Sequence, residues 1–189
     1  MLQNAFVFLI STIINILTFV LLLRFFMQLF KASFNNPLAQ MTMALTDFIV
    51  KPARRLIPSW KKLDLSTLIL AFFAQYLLQL LLKLLGSFAI TSSAFFAYIA
   101  LIALFAIVRL SLDLFFYAIL LQAILSWVNP NTPISGVLNS LTRPILAPIR
   151  RWVPIVNGFD FSSLVALILL QMFNISFVSY IENYLNSVF

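Results

Sequence analysis

The chain repeats itself at an offset of 96 residues. Asn35, Pro37, Pro52, Arg54, Arg55, Pro58, Asp64 and Ser66 fall without a gap on Asn131, Pro133, Pro148, Arg150, Arg151, Pro154, Asp160 and Ser162. Between residues 35 and 75, 13 of 41 positions are identical to their counterparts. The matches gather in the polar connections, where chance pairing of apolar residues does not produce them. A tandem duplication fixes an architecture before any other feature, because what one copy builds the other builds beside it. The first repeat is residues 1–86 and the second residues 94–189.

Neither repeat can be hidden from water by its own fold. The chain is 63% hydrophobic and 9% charged, with a mean hydropathy of +1.07, and 189 residues cannot bury that much apolar surface without a bilayer. There is no Cys and no His. This excludes disulfides, thiolate nucleophiles, most zinc sites and the usual acid/base group of neutral pH. The N-terminus has no basic segment ahead of its apolar run, and that run is too long for a cleaved leader, so no signal peptide is expected. The net charge of +7 does not imply nucleic acid. The basic residues flank membrane segments, where anionic lipid is the nearer partner.

About 20 apolar residues cross a bilayer as a helix. Four runs qualify: residues 4–30, 65–85, 94–128 and 161–182. The third is long enough to be one projecting helix or two short ones broken near Arg109. The duplication decides, because residues 4–30 map onto 100–126 and leave room for one equivalent span. Four spans also put both connecting loops on the same side. Lys31, Lys51, Arg54, Arg55, Lys61 and Lys62 lie in one loop and Arg143, Arg150 and Arg151 in the other. The excess of basic residues places both loops in the cytoplasm and the two termini outside. The expected fold is thus all-α and polytopic. Each repeat is a span, an interfacial amphipathic helix, a basic turn and a second span. Asn36-Pro37 and Thr132-Pro133 read as an N-cap with proline at the first helical position. Leu38, Met41, Leu45, Phe48 and Ile49 share one face of the first short helix, and Ile134, Val137, Leu141 and Ile145 hold the equivalent places in the second. Gln40, Thr42 and Asp47 lie opposite in the first.

Three groups of residues could carry function. In Pro52-Ala53-Arg54-Arg55-Leu56-Ile57-Pro58 and Pro148-Ile149-Arg150-Arg151-Trp152-Val153-Pro154, two prolines bracket two arginines on a short stiff turn. Adjacent guanidinium forks suit phosphate. These arginines are candidates for binding anionic phospholipid headgroups or a partner protein. They also serve as topology anchors tied to the aspartate that follows. Asp64 and Asp160 stand where a span begins and are expected to cap it and pair with arginine. Arg109 and Asp113 lie four apart on one face of the third span. Ionisable groups at membrane depth are functional candidates by default, and at this spacing the two can neutralise each other. They would form a strut touching Asn15, Gln171 or Asn174, or line an ion path, or, if the helix sits shifted, leave Arg109 near the outer interface. Arg24 lies near enough to a membrane face to snorkel. Gln75 and Gln171 match in the repeat and are expected to hydrogen-bond between helices. No enzyme signature, metal cluster or cofactor motif is present, and only three glycines occur in all, so a non-enzymatic protein without cofactors is expected.

Two spans joined by N-x-P, then P-x-R-R-x-x-P, then D-[LF]-S, twice over, resemble the YggT family of bacterial membrane proteins. The likeness covers nearly the whole chain. The second repeat carries it most closely, and Lys51 and Trp60-Lys61-Lys62 depart from the small, glycine-containing stretch of the family pattern. The family is similar to the mostly single-repeat YlmG proteins and their plastid relatives, linked with cell division, nucleoid distribution and assembly of membrane cytochromes. The double-repeat form is linked with tolerance of osmotic shock. The resemblance implies a multi-pass protein of the bacterial inner membrane, with other membrane proteins as partners and no catalytic residues. The expected function is a scaffold or assembly factor for a membrane complex. The alternative is a small transporter or channel in ion homeostasis. What separates them is whether Arg109 and Asp113 face a dry helix contact or a wet cavity.

Overall fold

A computed structural model describes residues 2–57, 64–85, 93–129, 131–153 and 160–188. Pro58, Trp60, Lys61, Lys62 and Pro154, singled out above, lie outside the described residues. Every described element is helical. In chain order they are α1 (Leu2–Leu29), α2 (Pro37–Leu56), α3 (Leu65–Leu85), α4 (Ser93–Val128), α5 (Ser135–Ile149), α6 (Phe161–Phe173), a π-helical turn (Asn174–Val178) and α7 (Ser179–Val188). Four stretches are long and apolar enough to cross a membrane: Leu2–Leu29, Leu65–Leu85, Phe95–Val128 and Phe161–Leu185. The protein is a multi-pass membrane protein. α4 runs through Arg109 without a break for 36 residues, about 54 Å by helical rise.

α1, α3, α4 and α6 form the bundle. The chain termini lie at one end, and α2 and α5 lie across the other. The principal core sits toward this loop end, where Leu21, Leu22, Met27, Ala71, Ile107, Leu114, Val137 and Leu141 are buried together. A second cluster, Phe95, Tyr98, Ile99 and Ile102, joins α3 and α4 near the termini. α1 ends in a left-handed residue, Lys31 (φ 53°). Its N–H donates to the Gln28 carbonyl, and that of Ala32 to Met27. This pattern closes a helix by satisfying its last carbonyls. The counterpart of Lys31 is Trp127, which remains helical, so α4 outlasts α1 at its loop end.

The two short helices are not alike. Asn36 caps α2 by accepting the Ala39 N–H at 2.9 Å, with Pro37 as the first helical residue. Thr132 and Pro133 do not begin α5. The helix starts two residues later behind Ile134, which makes no side-chain cap, and the Thr132 hydroxyl bonds Ser135 instead, at 2.6 Å. α5 packs its apolar face inward, burying Val137, Leu138, Leu141 and Leu146. α2 does the reverse. It buries Ala39, Thr42, Thr46 and Val50 and exposes Met41, Leu45 and Phe48. Small residues allow close approach to α1. The two threonines satisfy their hydroxyls on their own helix, donating to Leu38 and Thr42 carbonyls. The apolar face of α2 is thus left for lipid. A further departure concerns the basic turn of the first repeat: Pro52, Arg54 and Arg55 belong to the last turns of α2 itself, where positive charge favours the helix C-terminus.

Candidate functional site

At the loop end each repeat makes one arginine tie. Arg54 Nη2 meets Asp64 Oδ2, and the second Asp64 oxygen accepts the Ser66 hydroxyl. In the second repeat Arg150 Nη2 and Nε reach Asp160 Oδ2 at 2.6 and 3.0 Å. Asp160 Oδ1 accepts the Ser162 backbone N–H at 3.0 Å and its hydroxyl as well. The D-x-S motif therefore has a mechanism: one carboxylate oxygen holds the arginine and the other holds the first turn of the span. Burial raises the affinity of both carboxylates for protons. The Arg54 and Ser66 bonds to Asp64, and the Ser162 and Arg150 bonds to Asp160, outweigh it and hold both below the usual 3.8. Arg54 and Arg150 are thus committed within the fold. Arg55 and Arg151 are exposed, with no partner among the described residues.

The intramembrane charges are arranged differently from expectation. Arg109 does not pair with Asp113. Its Nη1 reaches Glu182 Oε2 on α7 at 3.1 Å, and Asp113 Oδ1 accepts the Asn174 amide at 2.9 Å. The π-helical turn begins at Asn174, which is buried, as is Val178 at the turn's far end. A π turn inserts an extra residue into the helix. Gln171, expected in an interhelical bond, is exposed and has no partner among the described residues. Its repeat counterpart Gln75 does bond between helices, to Asn15 Oδ1 at 2.9 Å and to Thr18 Oγ1 at 3.1 Å.

These groups border one cavity. It has a volume of about 440 Å³ between α1, α3, α4 and α7, and Asn15, Gln75, Gln79, Arg109, Asp113 and Glu182 line it. The Arg109 side chain is 53% exposed. Asn15 and Gln75, joined by a hydrogen bond, line the cavity, and the apolar core of Leu21, Leu22, Ala71 and Ile107 lies further toward the loop end. One basic side chain and two carboxyl groups thus surround a half-open polar space.

A third ionic site was not anticipated. Arg24 does not snorkel: it is 5% exposed, and its Nη1 bonds Thr46 Oγ1 at 2.6 Å and Asp47 Oδ1 at 2.8 Å. Lys51 takes the other Asp47 oxygen at 2.8 Å. The Lys51 and Arg24 bonds hold the Asp47 carboxyl below its usual value. The sequence did carry a signal. The counterparts of Arg24 and Asp47 are Leu120 and Arg143, so both members of the pair leave the duplication together.

The duplication has a known parallel. The CCB3/YggT family pattern matches residues 3–85 and again 101–181. The chain belongs to this family, in its double-repeat form. It is 35% identical over 173 residues to the YggT protein of Escherichia coli K12, covering 91% of this chain and 88% of that one. It is 38% identical over 174 residues to a protein encoded in the proC 3' region of Vibrio alginolyticus, with 91% and 92% covered. It is 31% identical over 173 residues to the protein PA0392 of Pseudomonas aeruginosa, with 90% and 87% covered. All three relatives are described as uncharacterised. No solved structure matches the chain.

Proposed function

We propose that this family member is a non-enzymatic protein of the bacterial cytoplasmic membrane that takes a small cation into the cavity between α1, α3, α4 and α7. Its basic loops would face the cytoplasm, and the chain termini and the cavity mouth would face outward. The observation that carries the reading is the convergence of Arg109, Asp113 and Glu182 on an open polar space. A scaffold would hold such charges in a dry contact between helices, because charge exposed at membrane depth has a high cost without water or a counterion. The half-exposed guanidinium of Arg109 favours the carrier over the scaffold. The surplus carboxyl group favours a cation over an anion. Passage would require the apolar core beyond Asn15 and Gln75 to open, which suits a gated carrier serving ion balance rather than an open pore. The test is flux of K⁺ or Na⁺ into liposomes containing only the purified protein. Flux above that of protein-free liposomes, lost in Asp113→Asn while helix content is retained, is expected. Liposomes that stay tight to both ions would return the protein to the scaffold reading.

A further inference from the structure

The two repeats differ most at the joint between their paired spans. In the first repeat this joint is filled. Met27 is fully buried there, and the Asp64 side chain is inaccessible. In the second repeat the counterpart of Met27 is Ala123, and the Asp160 side chain keeps 22% of its surface open. The smaller residue leaves space between α4 and α6. A polar recess of about 140 Å³ is lined by Gln122, Ser126, Arg150 and Asp160. An apolar lane of about 270 Å³ runs along Leu120, Ile124, Leu164 and Leu167. The two share Ala123, Trp127, Asp160 and Ser163, so they form one continuous groove, polar at the loop end and apolar along the span.

Charge at the mouth follows the same asymmetry. Arg143 lies two turns before Arg150 on the same face of α5, and both are exposed, as is Arg151. The counterpart of Arg143 is Asp47, which is spent on Arg24 and Lys51. The first repeat thus carries an acid where the second carries a cation, and its own Lys51, which is Ala147 in the second repeat, is bound to that acid. Trp127, 66% exposed, stands on the groove wall because α4 continues past the point where α1 turns. Tryptophan at this level suits the boundary between headgroups and acyl chains.

We propose that the groove between α4 and α6 is a binding site for an anionic phospholipid, present in the second repeat alone. One acyl chain would lie along Leu120, Ile124, Leu164 and Leu167. Its phosphate would sit over the free edge of the Arg150 guanidinium, with Arg143 and Arg151 beside it. Arg150 can do this while tied to Asp160, because that tie uses Nε and Nη2 and leaves Nη1. A zwitterionic lipid fills the same lane but gains less from three cations, since each cation near an anionic lipid surface contributes roughly a fivefold preference. The site stands independently of the cation cavity, which opens at the other end of the bundle.

The test uses the fluorescence of Trp127 in the full chain, with Trp60 and Trp152 replaced by Phe, reconstituted in mixed bilayers. Brominated phosphatidylglycerol should quench Trp127 at a several-fold lower mole fraction than brominated phosphatidylcholine. Arg143→Asp, which installs the first-repeat residue, removes one cation and adds an anion, and should reduce that preference at least about fivefold. Ala123→Met, which fills the groove as the first repeat does, should abolish it with helix content unchanged. Inorganic phosphate added to the medium should not compete, which separates a bilayer lipid from a free anion. Equal quenching by the two lipids in the parent overturns the proposal, and so does full preference in Arg143→Asp. A Trp127 that no brominated lipid reaches, but that crosslinks to a second copy, assigns the groove to self-association instead.

Discussion

Removing Asp47 should destabilise the protein far more than removing the arginine it binds. Arg24 is buried between α1 and α2, and its charge is balanced by one carboxylate. In Asp47→Ala the guanidinium keeps only the Thr46 hydroxyl. A buried charge stripped of its partner costs about 3–5 kcal/mol. Arg24→Leu is a different event. Asp47 is the more exposed partner and retains Lys51 at 2.8 Å, and the Thr46 hydroxyl still donates to the Thr42 carbonyl at 2.7 Å. Nothing buried is orphaned, so the loss is that of the bonds to Asp47 and to the Thr46 hydroxyl, the charge pair being about 1.5–3 kcal/mol, offset in part by the apolar leucine. The double variant Arg24→Leu with Asp47→Arg copies the second repeat and should also be milder than Asp47→Ala. The chain has no cysteine, which supplies the assay. Thr42→Cys, at a fully buried position on the inward face of α2, should label slowly in the parent. Every 1.4 kcal/mol of lost docking accelerates labelling about tenfold, so Asp47→Ala should label roughly 100-fold faster or more. Unfolding by sodium dodecyl sulfate in mixed micelles, followed by helical circular dichroism, gives the global ranking. If Arg24→Leu proves as damaging as Asp47→Ala, the penalty does not come from an unpaired buried charge and the reasoning fails.

Two more outcomes follow from the ionic sites. Asp47, Asp64 and Asp160 are all held below 3.8 in the folded protein, so their contribution to stability is complete above that value and is lost as pH falls below it through the lower folded values. Thermal unfolding should therefore be nearly flat from neutral pH to about 4 and should weaken below. Asp64→Asn with Asp160→Asn should flatten that acid limb, and an unchanged limb would contradict the assignment. Exchanging Arg109 and Glu182 should restore what either single replacement costs. Exchanging Arg109 and Asp113 should not, because Asp113 bonds Asn174. A double-mutant cycle on each pair distinguishes the two.

The bilayer explains how much of this architecture the sequence reveals. Four spans and their limits are legible because lipid imposes composition directly: residues 65–85 were assigned from hydropathy and α3 occupies the same residues. The Asn36 cap is legible because its partner lies three residues away on the same chain. The Arg109 partner was not, since a charge at i+4 is the nearest opposite charge in sequence but not in space. Helix rotation decides which charges meet, and in an apolar span nothing in hydropathy sets rotation. The π-helical turn at Asn174 compounds this by shifting the register of everything after it, Glu182 included.

Duplication supplied two equal units, and the departures between them show how they were divided. In the first repeat, Arg24 with Asp47, Met27 in the joint and the left-handed stop at Lys31 all act to the same end: α2 is fixed to α1 and the space between the spans is filled. In the second, the same positions hold Leu120, Arg143, Ala123 and Trp127. Any one of these differences is a neutral drift on its own. Together they replace a filled joint by an open one that carries Arg143 in place of Asp47, while the Arg–Asp tie that docks each loop stays in place. Matched departures of that kind are what separate a structural copy from a binding copy. Restoring Met at 123 and Asp at 143 together should therefore make the second repeat behave as the first, with a filled joint and no preference for anionic lipid. The Arg109–Glu182 contact, at the far end of the bundle, should be left unchanged.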